Sequence, residues 1–465
     1  VPNNRQQSSV ESTAATLTPL RGGRGVLLLA AVSGPDLAAN GYSEEEYLAT
    51  GTATSFRAAG PLTAEGRFDL ELSGETAEFA TRVVVRRPID PDAFNGTLVV
   101  EWLNVSSGRD AAPDYTYLAR ELIRSGYAWA GVSAQWAGVE GGNPTIAVPN
   151  SADRALTGLA GIDPKRYGDL HHPGDAFCYD IFGQVAHGLE TSPALAGLTV
   201  VRKLAVGESQ AAIALSMYYN GIQPLSNTFD GFLIHSRGGA VAPLGTAGTG
   251  IALRAALREG TPTRLRDDVA VPAIVVQTET DLFGHLAYYP ARQEDSDYFR
   301  LWEIAGAAHA DKFQIGPFES ILECPLPVNR GQQSFVVRAA LRALDRWASD
   351  GQRPPSAPRM QVVAGETEFA LDDNGNVVGG VRTPAVDAPT TILSGAPAPG
   401  ASPICALFGT TTPLPEARLR ALYASAAAYL ARYRAAVDAA IAAGFVLADD
   451  RAELLAEAQP DLVSW

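Results

Sequence analysis

Apolar and polar residues alternate early in the chain and give way further on to unbroken apolar runs. Arg67-Phe68-Asp69-Leu70-Glu71-Leu72 is a clean alternation, the period of a half-buried, antiparallel strand. Gly51 to Phe56 and Phe79 to Val85 read as its companions. Thr97 to Leu103 is a nearly continuous apolar run, with Pro91 and Asn95-Gly96 marking the turn before it. A helical stretch, Tyr117 to Ile123, then Gly126 and a second apolar strand, Ala128 to Ser133, complete a strand–helix–strand crossover. The alternation of elements continues. Ala176 to Leu189 predicts a helix, Val200 to Val206 a strand and Ala211 to Tyr219 a helix. Phe229 to His235, Val271 to Gln277 and Tyr298 to Ile304 predict further strands, and Ser334 to Trp347 a helix that packs back on the sheet.

This order predicts an α/β fold, a mostly parallel central sheet flanked by helices, with N-terminal antiparallel strands in front. Residues 1–24 read as a flexible leader and 25–350 as the main domain. The Gly/Pro-rich stretch near 136–173 and the Gly/Ala-rich stretch near 239–268 read as cap-like insertions, long enough to wall a pocket. Residues 351–465 read as a C-terminal extension packed on that domain. In it, Asp372 to Asn376 is a turn cluster, and Glu416 to Ala443 has the pattern of one long alanine-rich helix carrying Tyr423, Tyr429 and Tyr433.

The 465 residues can bury a large core, and no apolar run reaches membrane-spanning length. A net charge of −15 with dispersed basic residues argues against nucleic acid and anionic membrane as partners. Three cysteines, Cys178, Cys324 and Cys405, are too few for a disulfide scaffold or a cysteine metal site. One bridge remains open to them, and Cys324 with Cys405 would tie the C-terminal region to the core. His171-His172 and His187 lack metal-ligand spacing, and no glycine string forms a phosphate or dinucleotide fingerprint. No metal or cofactor is therefore expected. The valine at position 1 and the polar opening Asn3 to Thr13 fit an exported, periplasmic or extracellular product after signal removal; a trimmed chain is the other reading.

The chemistry-bearing stretch is Leu204-Ala205-Val206-Gly207-Glu208-Ser209-Gln210-Ala211-Ala212. Strand, sharp turn, serine and helix in succession are the layout of a nucleophile elbow, although Ala211 stands where the motif commonly has glycine. A serine hydroxyl needs a base, and the base needs a group that holds its tautomer. His309 lies in a Gly/Ala-rich loop, Ala305 to Asp311, after the last strand of the series. Asp281 and Glu279 both follow the preceding strand; Asp281 is the favoured acid and Glu279 the alternative. The backbone N–H of Gln210 at the helix start is one expected oxyanion donor. The loop after Thr97–Leu103 is expected to supply the second, from Asn104 or Val105.

These motifs resemble those of the α/β-hydrolase superfamily. More narrowly, the chain is similar to a largely uncharacterised group of bacterial and fungal α/β-hydrolase-domain proteins. Thr81 to Pro88, Phe94 to Asn104, Phe229 to Gly238, Cys324 with Asn329, and Asp373 through Gly379-Gly380-Val381-Arg382 to Pro384 carry that similarity. The resemblance runs from about residue 40 almost to the end. It implies a serine hydrolase acting on carboxylic esters through Ser209, His309 and an acid, with an acyl-enzyme intermediate. An amidase, lactonase or acyltransferase using the same triad is the alternative. A binding protein that keeps the hydrolase fold without catalysis is the second.

Overall fold

A computed structural model describes residues 13–31, 34–146, 157–365, 367–463 and 465. The chain forms two compact units, Val1–Ile234 with Gly239–Pro272, and His235–Gly238 with Ala273–Trp465.

The first unit is built on a long antiparallel ribbon. Strands β2 (Tyr42–Ala58) and β3 (Leu70–Pro88) pair from Tyr42 opposite Pro88 to Ala58 opposite Leu70. Three short strands were expected here, and the difference has a local cause. Thr54 faces Thr76 and Phe56 faces Leu72, so Ser55 opposes the three residues Ser73-Gly74-Glu75. The polar run Ser73-Gly74-Glu75 lies between two of the expected strands. Both flanks instead stay paired to the same neighbour, and the extra residues are absorbed as a bulge.

Strand β1 (Thr16–Pro19) pairs antiparallel with β2, with buried Leu17 as its anchor. It lies within the stretch expected to be a flexible leader; residues 1–12 of that stretch lie outside the described ones. The parallel strands follow as β4 (Thr97–Trp102), β5 (Ala128–Val132), β6 (Arg202–Glu208) and β7 (Gly231–His235). Within this unit the strand order is β1-β2-β3-β5-β4-β6-β7. Strand β4 is parallel to both β5 and β6, and β3 meets β5 antiparallel.

Helix α1 (Pro113–Arg124) carries β4 over to β5. Proline at its first position lacks a donor where none is needed. The buried Glu101 carboxylate accepts from the amides of Asp114 (3.1 Å) and Tyr115 (2.9 Å), satisfying two orphan donors of the first turn. Helix α2 (Cys178–Thr191) covers the expected 176–189 pattern.

The second unit holds the parallel pair β8 (Ala273–Thr278) and β9 (Phe299–Ile304), in register from Ala273 opposite Phe299 to Thr278 opposite Ile304. Their residues are buried throughout, Arg300 and Glu303 of β9 included. Other parts of this unit, in chain order, are helix α4 (Gln333–Asp350), the hairpin β10 (Thr391–Ser394) with β11 (Thr410–Pro413), and two C-terminal helices. Helix α3 (Gln210–Met217) lies in the first unit, after β6.

The expected single helix over 416–443 is divided into α5 (Glu416–Leu422) and α6 (Ala426–Ala442). Tyr423 takes an extended conformation, and its hydroxyl donates to the Pro389 carbonyl at 3.0 Å. The Ser425 side chain then caps α6 by accepting from the Ala428 amide. Helical periodicity could not register that break, because a buried tyrosine hydroxyl needs a partner and finds it off the helix axis. Tyr423, Tyr429, Tyr433, Val437 and Leu454 form one apolar cluster there with Phe335 of α4.

Cys324 and Cys405 form a disulfide spanning 81 residues of sequence. Closing a loop of that length is worth about 4 kcal/mol in the chain-entropy account. The double variant Cys324→Ser/Cys405→Ser is therefore expected to melt well below the native protein. A melting curve unmoved by the substitutions or by reductant would contradict this.

Candidate active site

In the first unit, β6 runs into Ser209, and helix α3 (Gln210–Met217) starts at the next residue. Ser209 has φ 61° and ψ −117°, a backbone region that non-glycine residues rarely enter. The strain is held from both sides, because β6 from Lys203 onward and every residue of α3 are buried. Gly207 shows why the turn is so tight. A Cβ there would lie 2.9 Å from Leu215 Cδ1 and 3.1 Å from Ala211 Cβ. The missing side chain at 207 is thus what admits the methyl group of Ala211, where the motif commonly has glycine.

The loop after β4 is pinned to this elbow. Asn104 Nδ2 donates to the Glu208 carbonyl at 3.0 Å, and the Val105 amide donates to Gln210 Oε1 at 3.1 Å. The two amides proposed from sequence as oxyanion donors differ in status. The Asn104 N–H is taken by the Ala111 carbonyl at 2.9 Å, a backbone bridge that removes it as a donor. The Val105 N–H is held by the Gln210 side chain and not by backbone. The Gln210 N–H belongs to the first turn of α3, where no intrahelical acceptor exists.

In the second unit, Asp281 and His309 are brought together, with Asp281 Oδ1 2.6 Å from His309 Nδ1. Both are buried. The carboxylate is placed by a capping box, in which Asp281 Oδ2 accepts from the Thr278 amide (2.7 Å) and the Thr278 hydroxyl (2.8 Å). With Asp281 as acceptor, Nδ1 carries the imidazole proton and Nε2 is left as the basic nitrogen.

Glu279 does not touch the imidazole. Its carboxylate accepts from the amides of Gly306 (2.6 Å) and Gly395 (2.8 Å), joining the histidine loop to the segment after β10. Burial pushes its pKa up to about 7, against an ordinary 4.5. The folded protein therefore holds this proton more tightly than the unfolded chain does. Glu279's contribution to stability is greatest below pH 4.5 and is lost as pH rises through about 7. Glu279→Gln, which cannot ionise, is expected to gain in melting temperature relative to the native protein between those pH values. A constant difference across that range would contradict the assignment.

Sequence reasoning missed the remaining supports of the loop. The Thr280 hydroxyl accepts from the His309 amide (3.2 Å) and donates to the Gly395 carbonyl (2.8 Å). Asn329 Nδ2 donates to the Gly306 carbonyl, and Gln333 Nε2 to the Ala308 carbonyl. The Ala310 amide donates to the Leu407 carbonyl at 3.0 Å, two residues from the disulfide. Only Thr278-x-x-Asp281 had a readable signal, the capping-box spacing. The others come from segments distant in sequence. Among the described residues no cluster of histidine, cysteine or carboxylate side chains could hold a metal ion, and no helix is long and apolar enough to cross a membrane.

A strained serine between a buried strand and a buried helix, on a mostly parallel sheet with antiparallel N-terminal strands, defines an α/β-hydrolase fold. The chain belongs to the alpha/beta hydrolase domain family, whose model matches residues 14–456. No curated protein matches the chain in sequence. Among solved structures it is similar to fungal esterases from Rhizomucor miehei, at 10% identity over 69% of this chain and 87% of that one, with a TM-score of 0.34. It is also similar to a putative dienelactone hydrolase from Klebsiella pneumoniae subsp. pneumoniae, at 13% identity over 65% and 99%, with a TM-score of 0.32. A thermostable esterase from Pseudomonas putida matches at 14% identity over 54% and 67%, with a TM-score of 0.29. At such values the likeness carries no weight for activity, and the family assignment rests on the family model.

Proposed function

We propose that the protein is a serine hydrolase of small carboxylic esters, with Ser209 as nucleophile, His309 as base and Asp281 as the group that orients the base. The observation that carries the reading is Ser209 at positive φ between β6 and α3. Strain of that kind persists only where the surroundings impose it, and here it lifts one hydroxyl out of a buried turn. The Asp281–His309 pair supports it, because its tautomer leaves Nε2 as a proton acceptor.

In the proposed cycle His309 Nε2 takes the Ser209 proton as Oγ attacks the ester carbonyl. The Gln210 N–H stabilises the oxyanion, joined by the Val105 N–H once it exchanges its resident acceptor. The imidazolium protonates the departing alcohol. Water, deprotonated by the same nitrogen, then releases the acid and restores the serine.

Fluorophosphonate labelling tests this reading, with the modified peptide located by mass and turnover followed on p-nitrophenyl acetate, butyrate and octanoate. Labelling at Ser209 with ester turnover is the expected result. Labelling without ester turnover would move the assignment to amide, lactone or acyl-transfer chemistry. Folded protein that takes no label would point to a binding protein on the hydrolase fold.

A further inference from the structure

The side chain of Gln210 is one end of a buried chain of hydrogen bonds that the triad does not use. Gln210 Oε1 accepts from the Val105 amide, while Gln210 Nε2 donates to Gln135 Oε1. The same Gln135 oxygen accepts from the Trp102 indole at 3.0 Å, and Gln135 Nε2 donates to Asp175 Oδ2 at 3.2 Å. Asp175 also accepts from the amides of Trp136 (2.7 Å) and Ile251 (2.7 Å). Gln210, Gln135, Trp102 and Asp175 are all nearly inaccessible to solvent.

The chain has a fixed polarity. An indole N–H only donates and an ionised carboxylate only accepts. Trp102 and Asp175 therefore orient the Gln135 amide from its two sides. Gln135 then presents an oxygen to Gln210, so the Gln210 amide must turn its nitrogen that way and its own oxygen toward Val105. At its far end the same carboxylate ties down Trp136 and Ile251, which belong to the two insertions near 136–173 and 239–268. Pro173 and Thr246 reinforce the junction, the Gly248 amide donating to the Pro173 carbonyl and the Ala176 amide to the Thr246 carbonyl.

We propose that Asp175, acting through Gln135 and Gln210, is a positioning residue that keeps the Val105 N–H turned toward the elbow as an oxyanion donor and couples that donor to the two insertions. The proposal rests on the serine-hydrolase reading. Gln210 Oε1 holds the amide dry and aimed until the substrate oxygen takes its place. Burial pushes the Asp175 pKa up to about 6, so the carboxylate is ionised and acceptor-only at neutral pH. Gln135 and the Ile251 amide share Asp175 Oδ2, where an asparagine would keep its oxygen, so alanine at 175 is the change that releases Gln135.

The test compares Asp175→Ala, Gln210→Met and the double variant at about pH 8, well above the Asp175 titration. Active sites are counted by fluorophosphonate labelling, and amide exchange is followed across residues 104–108. Each single variant is expected to lose about tenfold or more in kcat per labelled site, with KM within about twofold of native. In the Gln210→Met background, Asp175→Ala should cost nothing further, since both changes cut one chain. Exchange at Val105 should speed up in all three.

A native kcat per labelled site in Asp175→Ala would overturn the proposal. So would losses that multiply in the double variant, or a change in KM alone, which would mean that Asp175 shapes only the pocket wall. If Asp175→Ala does not fold, Gln135→Met takes its place with the same outcomes. Native protein that takes no label would bring down the serine-hydrolase reading instead, while the exchange at Val105 would still decide whether the chain of bonds holds the loop.

Discussion

Alanine at position 209 is expected to remove about five to six orders of magnitude from kcat on p-nitrophenyl esters, the loss seen when a nucleophile that works with a base is deleted. The argument is local. Only the hydroxyl leaves, and alanine strains the turn no more than serine does, so Ser209→Ala should fold and melt like the native protein. A residual rate above the uncatalysed reaction should survive, because the Gln210 N–H at the start of α3 remains in place. KM should change little, since the missing bond forms only in the transition state. Native-like turnover in a folded Ser209→Ala protein would end the proposed mechanism.

Asp281→Asn is expected to lower kcat by about 10⁴-fold, and the reason lies in the capping box. Two donors, the amide and the hydroxyl of Thr278, converge on one carboxylate oxygen. An asparagine must keep its carbonyl oxygen there, which turns its NH₂ toward His309 Nδ1. The imidazole then has to accept at Nδ1 and carry its proton on Nε2. It is left in the tautomer that cannot take a proton from serine. Glu279→Gln, by contrast, alters a carboxylate that meets only backbone amides. It should change stability and its pH dependence far more than kcat on folded protein. Measuring kcat for both variants across pH, beside their melting curves, separates an orienting acid from a loop anchor. Equal losses of kcat in the two would contradict the assignment of Asp281.

The strands that carry this chemistry were legible because each is an apolar run ending in a turn. Thr97–Trp102, Arg202–Glu208, Ala273–Thr278 and Phe299–Ile304 all fall within two residues of the runs that predict them. The antiparallel ribbon and the C-terminal helices were less so. In both, a polar or tyrosine-bearing stretch has a local preference that long-range pairing overrides. Ser73-Gly74-Glu75 becomes a bulge because its flanks share one partner strand. The 416–443 pattern breaks because the Tyr423 hydroxyl finds a carbonyl at Pro389.

What the sequence by itself determined is the order of elements and the strand-end placement of Ser209, Asp281 and His309, since periodicity and turn chemistry are properties of neighbours in the chain. It also contained the Thr278-x-x-Asp281 spacing that aims one carboxylate. Only the tertiary structure shows that Asp281 meets the imidazole and that Glu279 meets a pair of backbone amides. It alone withdrew the Asn104 N–H by pairing it with Ala111, and it alone joined Gln210 to Asp175 through Gln135. Those outcomes depend on which donor meets which acceptor across tens of residues. A hydrogen bond is settled by distance and direction, and neither is written in the spacing of residues along the chain.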